Sequence, residues 1–213
     1  MMKNKKSGSG LAITIGIIVL IVTVAIFSFT LFKKKSHVTE KELYAYVKNP
    51  DNGLMKEQTK DDVKFVVYYK PSDLLVAQDK NSKQAQQPPS DVKMAYSDYY
   101  YFVINLSKDN QELEATLLTT TDFGKAIQEL AFGMNKHISI ITSEQDTIEL
   151  ATYLFPRMYG STGSTSFICA FEKKDIEKSK NFDLVFYHPL IVESPVRFNY
   201  ITQDIENTPG IKF

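Results

Sequence analysis

The chain has 213 residues, 43% of them hydrophobic and 12% aromatic, with twelve tyrosines, fourteen phenylalanines and no tryptophan; a disordered stalk is excluded and a sizeable core is expected. Its 25 basic and 25 acidic residues cancel, but six of the bases and none of the acids lie at or before Lys35. The part after Lys35 is therefore acidic and has no basic stripe, which argues against nucleic acid as a partner.

Residues 1–10 form a basic leader with Lys3, Lys5 and Lys6. Residues 11–32, from Leu11 to Phe32, are apolar without a charge or a proline. At about 1.5 Å per residue such a helix spans the roughly 30 Å core of a bilayer, so a single transmembrane helix is expected. The run is longer than the core of a cleavable signal peptide, and Phe29-Thr30-Leu31-Phe32 offers no small-x-small cleavage site. The only cysteine, Cys169, is far downstream, which rules out a lipidated cysteine at the end of the run. The acid-free leader favours an inside N-terminus and an extracytoplasmic, periplasmic domain. Residues 33–38, with Lys33 to Lys35, read as a juxtamembrane linker whose partner is the lipid bilayer.

Beyond the linker, an α+β half-domain is expected over 39–134. Thr39 and Glu42 have capping-box spacing, and Pro50 ends the helix that follows. Strands are predicted near Leu54–Glu57 and Val63–Lys70, joined at Lys60-Asp61-Asp62, with a short helical piece from Pro71 to Val76. Residues 79–91 read as a polar loop. A long strand from Ala95 to Leu106 is apolar or aromatic on both faces, as is Phe65–Tyr69, so the two are expected side by side in one sheet. Asp122 caps a helix with Phe123, Ile127, Leu130 and Ala131 on one face, and Gly133 stops it.

From His137 the pattern turns to strands over 137–142, 147–154, 165–171, 182–187 and 196–202. A β-sandwich-like half-domain is expected over 135–213. The fold class predicted is thus α+β: a transmembrane helix, a mixed sheet with short helices, and the sandwich-like unit.

Reactive constellations are sparse. The loop Gly160-Ser161-Thr162-Gly163-Ser164-Thr165 has the small residues of an anion cradle, but a strand pattern follows it and it contains no lysine, so it reads as a hairpin connection. Arg157 reads as a structural ion pair or a carboxylate ligand. His37, His137 and His188 are scattered, with no second donor two to four residues away. No metal or cofactor is expected. No Gly-x-Ser-x-Gly elbow occurs, and Cys169 sits in an apolar run as an inert thiol. Asn105-Leu106-Ser107 matches a glycosylation sequon, which matters only in a eukaryotic secretory setting. The candidate binding surface is Tyr96, Tyr99, Tyr101, Arg157 and Tyr159, since tyrosines supply rigid amphipathic contact area and also fill sheets.

Three segments carry a resemblance: Asn49-Pro50-Asp51-Asn52-Gly53-Leu54, Tyr69-Lys70-Pro71-Ser72-Asp73-Leu74-Leu75-Val76 and Asp204-Ile205-Glu206-Asn207-Thr208-Pro209. They resemble uncharacterised membrane-anchored or lipoprotein-like envelope proteins of Bacteroidota-type bacteria. The resemblance implies an envelope location and no particular activity. The expectation is a non-enzymatic, single-pass envelope component that binds another envelope protein. The alternatives are a small-ligand or glycan sensor, and an envelope hydrolase with His137 or His188 as its base.

Overall fold

The structure, a computed structural model, describes residues 37–81, 89–117 and 123–213. After a short strand β1 (His37–Val38), helix α1 (Glu40–Lys48) starts on the predicted capping box: the Glu42 amide donates to the Thr39 hydroxyl, and the Thr39 amide to the Glu42 carboxylate. β2 (Met55–Lys60) and β3 (Val63–Lys70) form a hairpin closed by Asp61 and Asp62, whose φ angles of 52° and 63° are those of a two-residue turn matched to strand twist. Helices α2 (Ser72–Asn81) and α3 (Pro89–Tyr96) follow.

β4 (Tyr99–Lys108) pairs antiparallel with β3, as the two-faced apolar pattern predicts. It starts later than expected because residues 89–96 are helical. β5 (Gln111–Glu112) turns back on β4, then come α4 (Leu113–Leu117) and α5 (Phe123–Phe132). Leu130 of α5 is buried and Ile127 packs on the core, as the apolar face predicted; its expected cap, Asp122, lies outside the described residues.

The remaining strands are β6 (Ile138–Thr142), β7 (Thr147–Glu149), β8 (Thr152–Leu154) and β9 (Thr165–Glu172). After a short α6 (Lys173–Ile176) come β10 (Asn181–Phe186), β11 (Val196–Ile201), α7 (Thr202–Glu206) and β12 (Gly210–Ile211). One sheet runs β2-β3-β4-β9-β8, with β5 on β4; a second runs β11-β10-β6-β7. These pairings are antiparallel, and β1 pairs parallel with β12.

The aromatic residues join the two sheets. Phe102 of the first meets Tyr200 and Phe182 of the second at ring-centroid distances of 5.1 and 6.0 Å, and Phe65 meets Phe186 at 5.3 Å. The buried Tyr200 hydroxyl donates to the Val67 carbonyl at 3.0 Å, satisfying the polar atom it carries into the core. Cys169 is fully buried here, and burial pushes its thiol well above its ordinary pKa, so it is inert as expected.

Two expectations are corrected. The α+β class and the short helices hold, but residues 135–213 do not form a sandwich-like unit of their own. β8 and β9 pair into the sheet of β2 to β4, while β6, β7, β10 and β11 make the other. The backbone of β4 pairs on both edges, with β3 on one and β9 on the other, so β4 is an interior strand of the first sheet.

The second correction concerns the membrane. The expected span over 11–32 lies outside the described residues, and among those described no helix is long and apolar enough to cross a bilayer. The longest described helices have ten residues, about 15 Å against a core of roughly 30 Å. The single-pass anchor, the lipid bilayer as partner, the periplasmic placement and the envelope assembly role built on them are therefore withdrawn.

Candidate metal centre: Glu129, His137 and His188

The strand register explains how residues 51 positions apart come to meet. Ile138 of β6 pairs with Phe186 of β10. One step further the ladder continues, with the Tyr187 amide donating to the His137 carbonyl at 2.9 Å. His188 thus emerges beside His137, with ring centroids 4.3 Å apart and planes tilted by 49°. Helix α5 brings the third group. Its Glu129 carboxylate lies over Gly133, where any Cβ would collide with it, so the missing side chain makes the space. One ligand atom from each of Glu129, His137 and His188 lies within 4.8 Å of the others.

The hydrogen bonds assign the atoms. His137 Nδ1 is 2.8 Å from the Tyr187 carbonyl oxygen, which can only accept, so Nδ1 carries the proton. The other nitrogen, Nε2, then presents a lone pair in the neutral ring. It faces Glu129 Oε1 at 3.2 Å, and an ionised carboxylate also only accepts. Two acceptors at that distance need a positive charge between or on them: a proton on the ring, or a cation. A carbonyl holding the far nitrogen of a histidine is the usual outer partner of a metal-ligating imidazole. The 3.2 Å separation also matches the edge of about 3.3 Å in a tetrahedron with bonds of about 2.0–2.1 Å.

His188 is almost wholly buried. Burial lowers its pKa from the ordinary value, and His137 lowers it further against an opposing pull from Glu129. That shift favours the neutral ring, the form that ligates. Its Nδ1 accepts a long bond of 3.3 Å from the Leu190 amide. Glu129 keeps 41% of its side chain exposed, against 17% for His137, so the cluster is open to solvent on the carboxylate side.

The residues singled out from the sequence fall into two other places. Tyr96 and Tyr99 both contact Tyr101 edge-on or tilted, at 5.8 and 6.2 Å. Burial pushes Tyr101 up to about 12, and the Tyr96 hydroxyl is held by Asp79 at 2.7 Å. Arg157 lies 4.7 Å over the exposed Tyr159 ring, a cation–π contact, and among the described residues it makes no ion pair. Among the described residues no ring contact joins the two groups, and Arg157 and Tyr159 line neither described groove.

The small-residue loop is an anion cradle after all, and the anion is the chain's own. Glu112 accepts from the Gly160 amide at 2.8 Å, the Thr162 amide at 3.0 Å and the Thr162 hydroxyl at 2.7 Å. Tyr159 and Gly160 adopt the positive φ that turns the amides inward. Burial raises the Glu112 pKa, but these three bonds outweigh it and the carboxyl titrates below its ordinary range.

Among the described residues the side-chain partner of a histidine base is the Glu129 carboxylate on His137, and no serine is a hydrogen-bond partner of His137 or His188. The metal cluster escaped sequence reading because its donors are 8 and 51 residues apart in the chain; only knowing that β6 pairs with β10 would have joined them. No family model, curated protein or solved structure matches the chain.

Proposed function

We propose that this protein binds a divalent transition-metal ion of the zinc type through Glu129, His137 and His188, without turnover. The observation that carries the reading is the pair of acceptors, His137 Nε2 and Glu129 Oε1, facing each other at 3.2 Å beside a second histidine. Two imidazoles and one carboxylate suit zinc and its neighbours in the first transition row far better than calcium or magnesium, which prefer oxygen shells. Three protein donors leave a fourth tetrahedral position for water on the exposed side of Glu129. Closing the remaining donors around an ion requires at most about 1.5 Å of side-chain movement from 4.8 Å.

The non-enzymatic part of the reading rests on the surroundings. Neither of the two described grooves includes any of the three donors. Loading also has a structural consequence. A ring nitrogen of His188 that takes the ion cannot keep both its present tautomer and the bond from the Leu190 amide, so binding frees that amide.

The test is a calorimetric titration of chelator-stripped full-length protein with zinc chloride. One ion per chain is expected, with saturable heat, a rise in Tm and a shift of the Leu190 amide resonance. His137→Ala and His188→Ala should each abolish the tight phase. No saturable heat in the wild type, or unchanged stoichiometry in the double variant, would leave the cluster as an imidazolium–carboxylate pair and refute the reading.

A further inference from the structure

A second site lies apart from the histidine cluster, between the start of α1, the end of β3 and helix α2. It is a groove of about 640 Å³ whose lining includes Glu40, Lys41, Tyr44, Tyr68, Lys70 and Leu74, together with Gln78. Lys70 is the unusual member. The residue is only 8% exposed, yet among the described residues its ammonium makes one hydrogen bond, 2.8 Å to the neutral Gln78 Oε1. Among the described residues no carboxylate lies within ion-pair distance of it; Asp79 acts on it only from further away. A buried charge normally has an opposite charge against it, because its lost hydration must be replaced. Among the described residues, two of the three ammonium protons find no acceptor.

The rest of the lining is also short of acceptors. Tyr68 is half-buried, and among the described residues its hydroxyl has no hydrogen-bond partner. Burial first, and then the nearby Tyr44, push it up to about 12, so it remains a phenol that can donate. Lys41 adds a second cation, and the Leu74 side chain with the Tyr44 ring adds an apolar wall. Glu40 in the lining and the acidic balance of the chain after Lys35 oppose a multiply charged guest.

From this we infer that the groove is a binding site for a small organic monocarboxylate whose apolar or aromatic body lies against Leu74 and Tyr44. Its carboxylate takes the two unused protons of Lys70 and the Tyr68 hydroxyl. The bond between a charged donor and a carboxylate in a partly desolvated groove supplies the affinity, and the apolar wall selects against inorganic oxyanions. The inference is independent of the metal reading, since the two sites share no residue.

The test uses full-length, metal-stripped protein with benzoate as probe and inorganic phosphate at matched ionic strength as comparison. Binding is followed by chemical-shift changes and by Tm. Saturable binding of benzoate that perturbs Tyr44, Tyr68 and Lys70 is expected, with little response to phosphate. Lys70→Met should weaken it by roughly tenfold to a hundredfold, the scale of a lost hydrogen bond to a charged group. Because an apolar chain replaces an unpaired buried cation, Lys70→Met should fold as well as the wild type. Tyr68→Phe, which leaves the packing intact, should weaken benzoate by several-fold and serves as the second variant. Benzoate binding of equal strength in both variants, a response to phosphate alone, or no saturable response to either probe would overturn the proposal.

Discussion

Two carboxylates of this chain have opposite surroundings. Glu112 is wrapped by the loop at 158–164 and accepts three bonds from amides and a hydroxyl, all donors. Glu129 lies over Gly133 with its oxygen 3.2 Å from His137 Nε2, a nitrogen that is an acceptor in the neutral ring. The first arrangement is complete as it stands, and a foreign ion would only disturb it. The second sets a carboxylate oxygen against a ring nitrogen, a pair that needs either a proton on the ring or a cation to hold it. A carboxylate's chemistry is thus set by what faces it, not by its burial or by the loop it sits near.

The sharpest way to break the comparison is to give Glu129 the donor it lacks. Glu129→Gln places an amide N–H against the His137 lone pair. Zinc affinity should fall by more than the roughly hundredfold typical of losing an outer partner, read by calorimetry. The metal-free protein should keep its stability or gain about 0.5–1.5 kcal/mol in urea unfolding, since a hydrogen bond is formed where two acceptors had faced each other. A large loss of metal-free stability would instead mark the pair as an ion pair that needs no metal.

The converse change, Glu112→Ala, removes a satisfied carboxylate. It should cost about 1–3 kcal/mol in unfolding free energy, because three donors lose their partner, and should leave zinc affinity as it was. Gly133→Ala is subtler. The glycine has φ −104°, which alanine tolerates, but the new methyl displaces the Glu129 carboxylate. Stability should change little, while zinc binding weakens by about tenfold, equivalent to about 1.4 kcal/mol. Equal zinc affinity in that variant would mean that Glu129 does not ligate.

The smallest effect is on pH. The folded Glu112 carboxyl titrates below its ordinary value of 4.5. Its stabilising contribution is therefore complete above 4.5 and fades as pH falls through the lower, folded value. Hydrogen exchange at the Gly160 and Thr162 amides should report this as local opening in acid, while the amides of β4 stay protected.

How much of this was legible in the sequence follows from the range of each interaction. Local signals read well: the Thr39–Glu42 capping box, the Asp61-Asp62 turn, and the two-faced apolar pattern that sets β3 beside β4. The loop at 160–165 carried the composition of an anion cradle, yet nothing in its vicinity names Glu112, 48 residues upstream, as the anion. Sheet membership was misread for the same reason. Strand spacing shows that β8 and β9 exist but not which edge they join, and they joined the earlier sheet. The donors of the metal cluster became neighbours only through the β6–β10 register and the space over Gly133. Neither leaves a trace in any short window. Tyr96, Tyr99 and Tyr101 were found together, but as rings packed on one another.

The most direct measurement is anomalous diffraction at the zinc absorption edge from crystals of the full-length protein grown with zinc. A single strong peak is predicted about 2.0–2.1 Å from His137 Nε2, from a Glu129 oxygen and from a His188 ring nitrogen, with the Leu190 amide released. A map featureless at that place, with His137 Nε2 still against Glu129, would contradict the account.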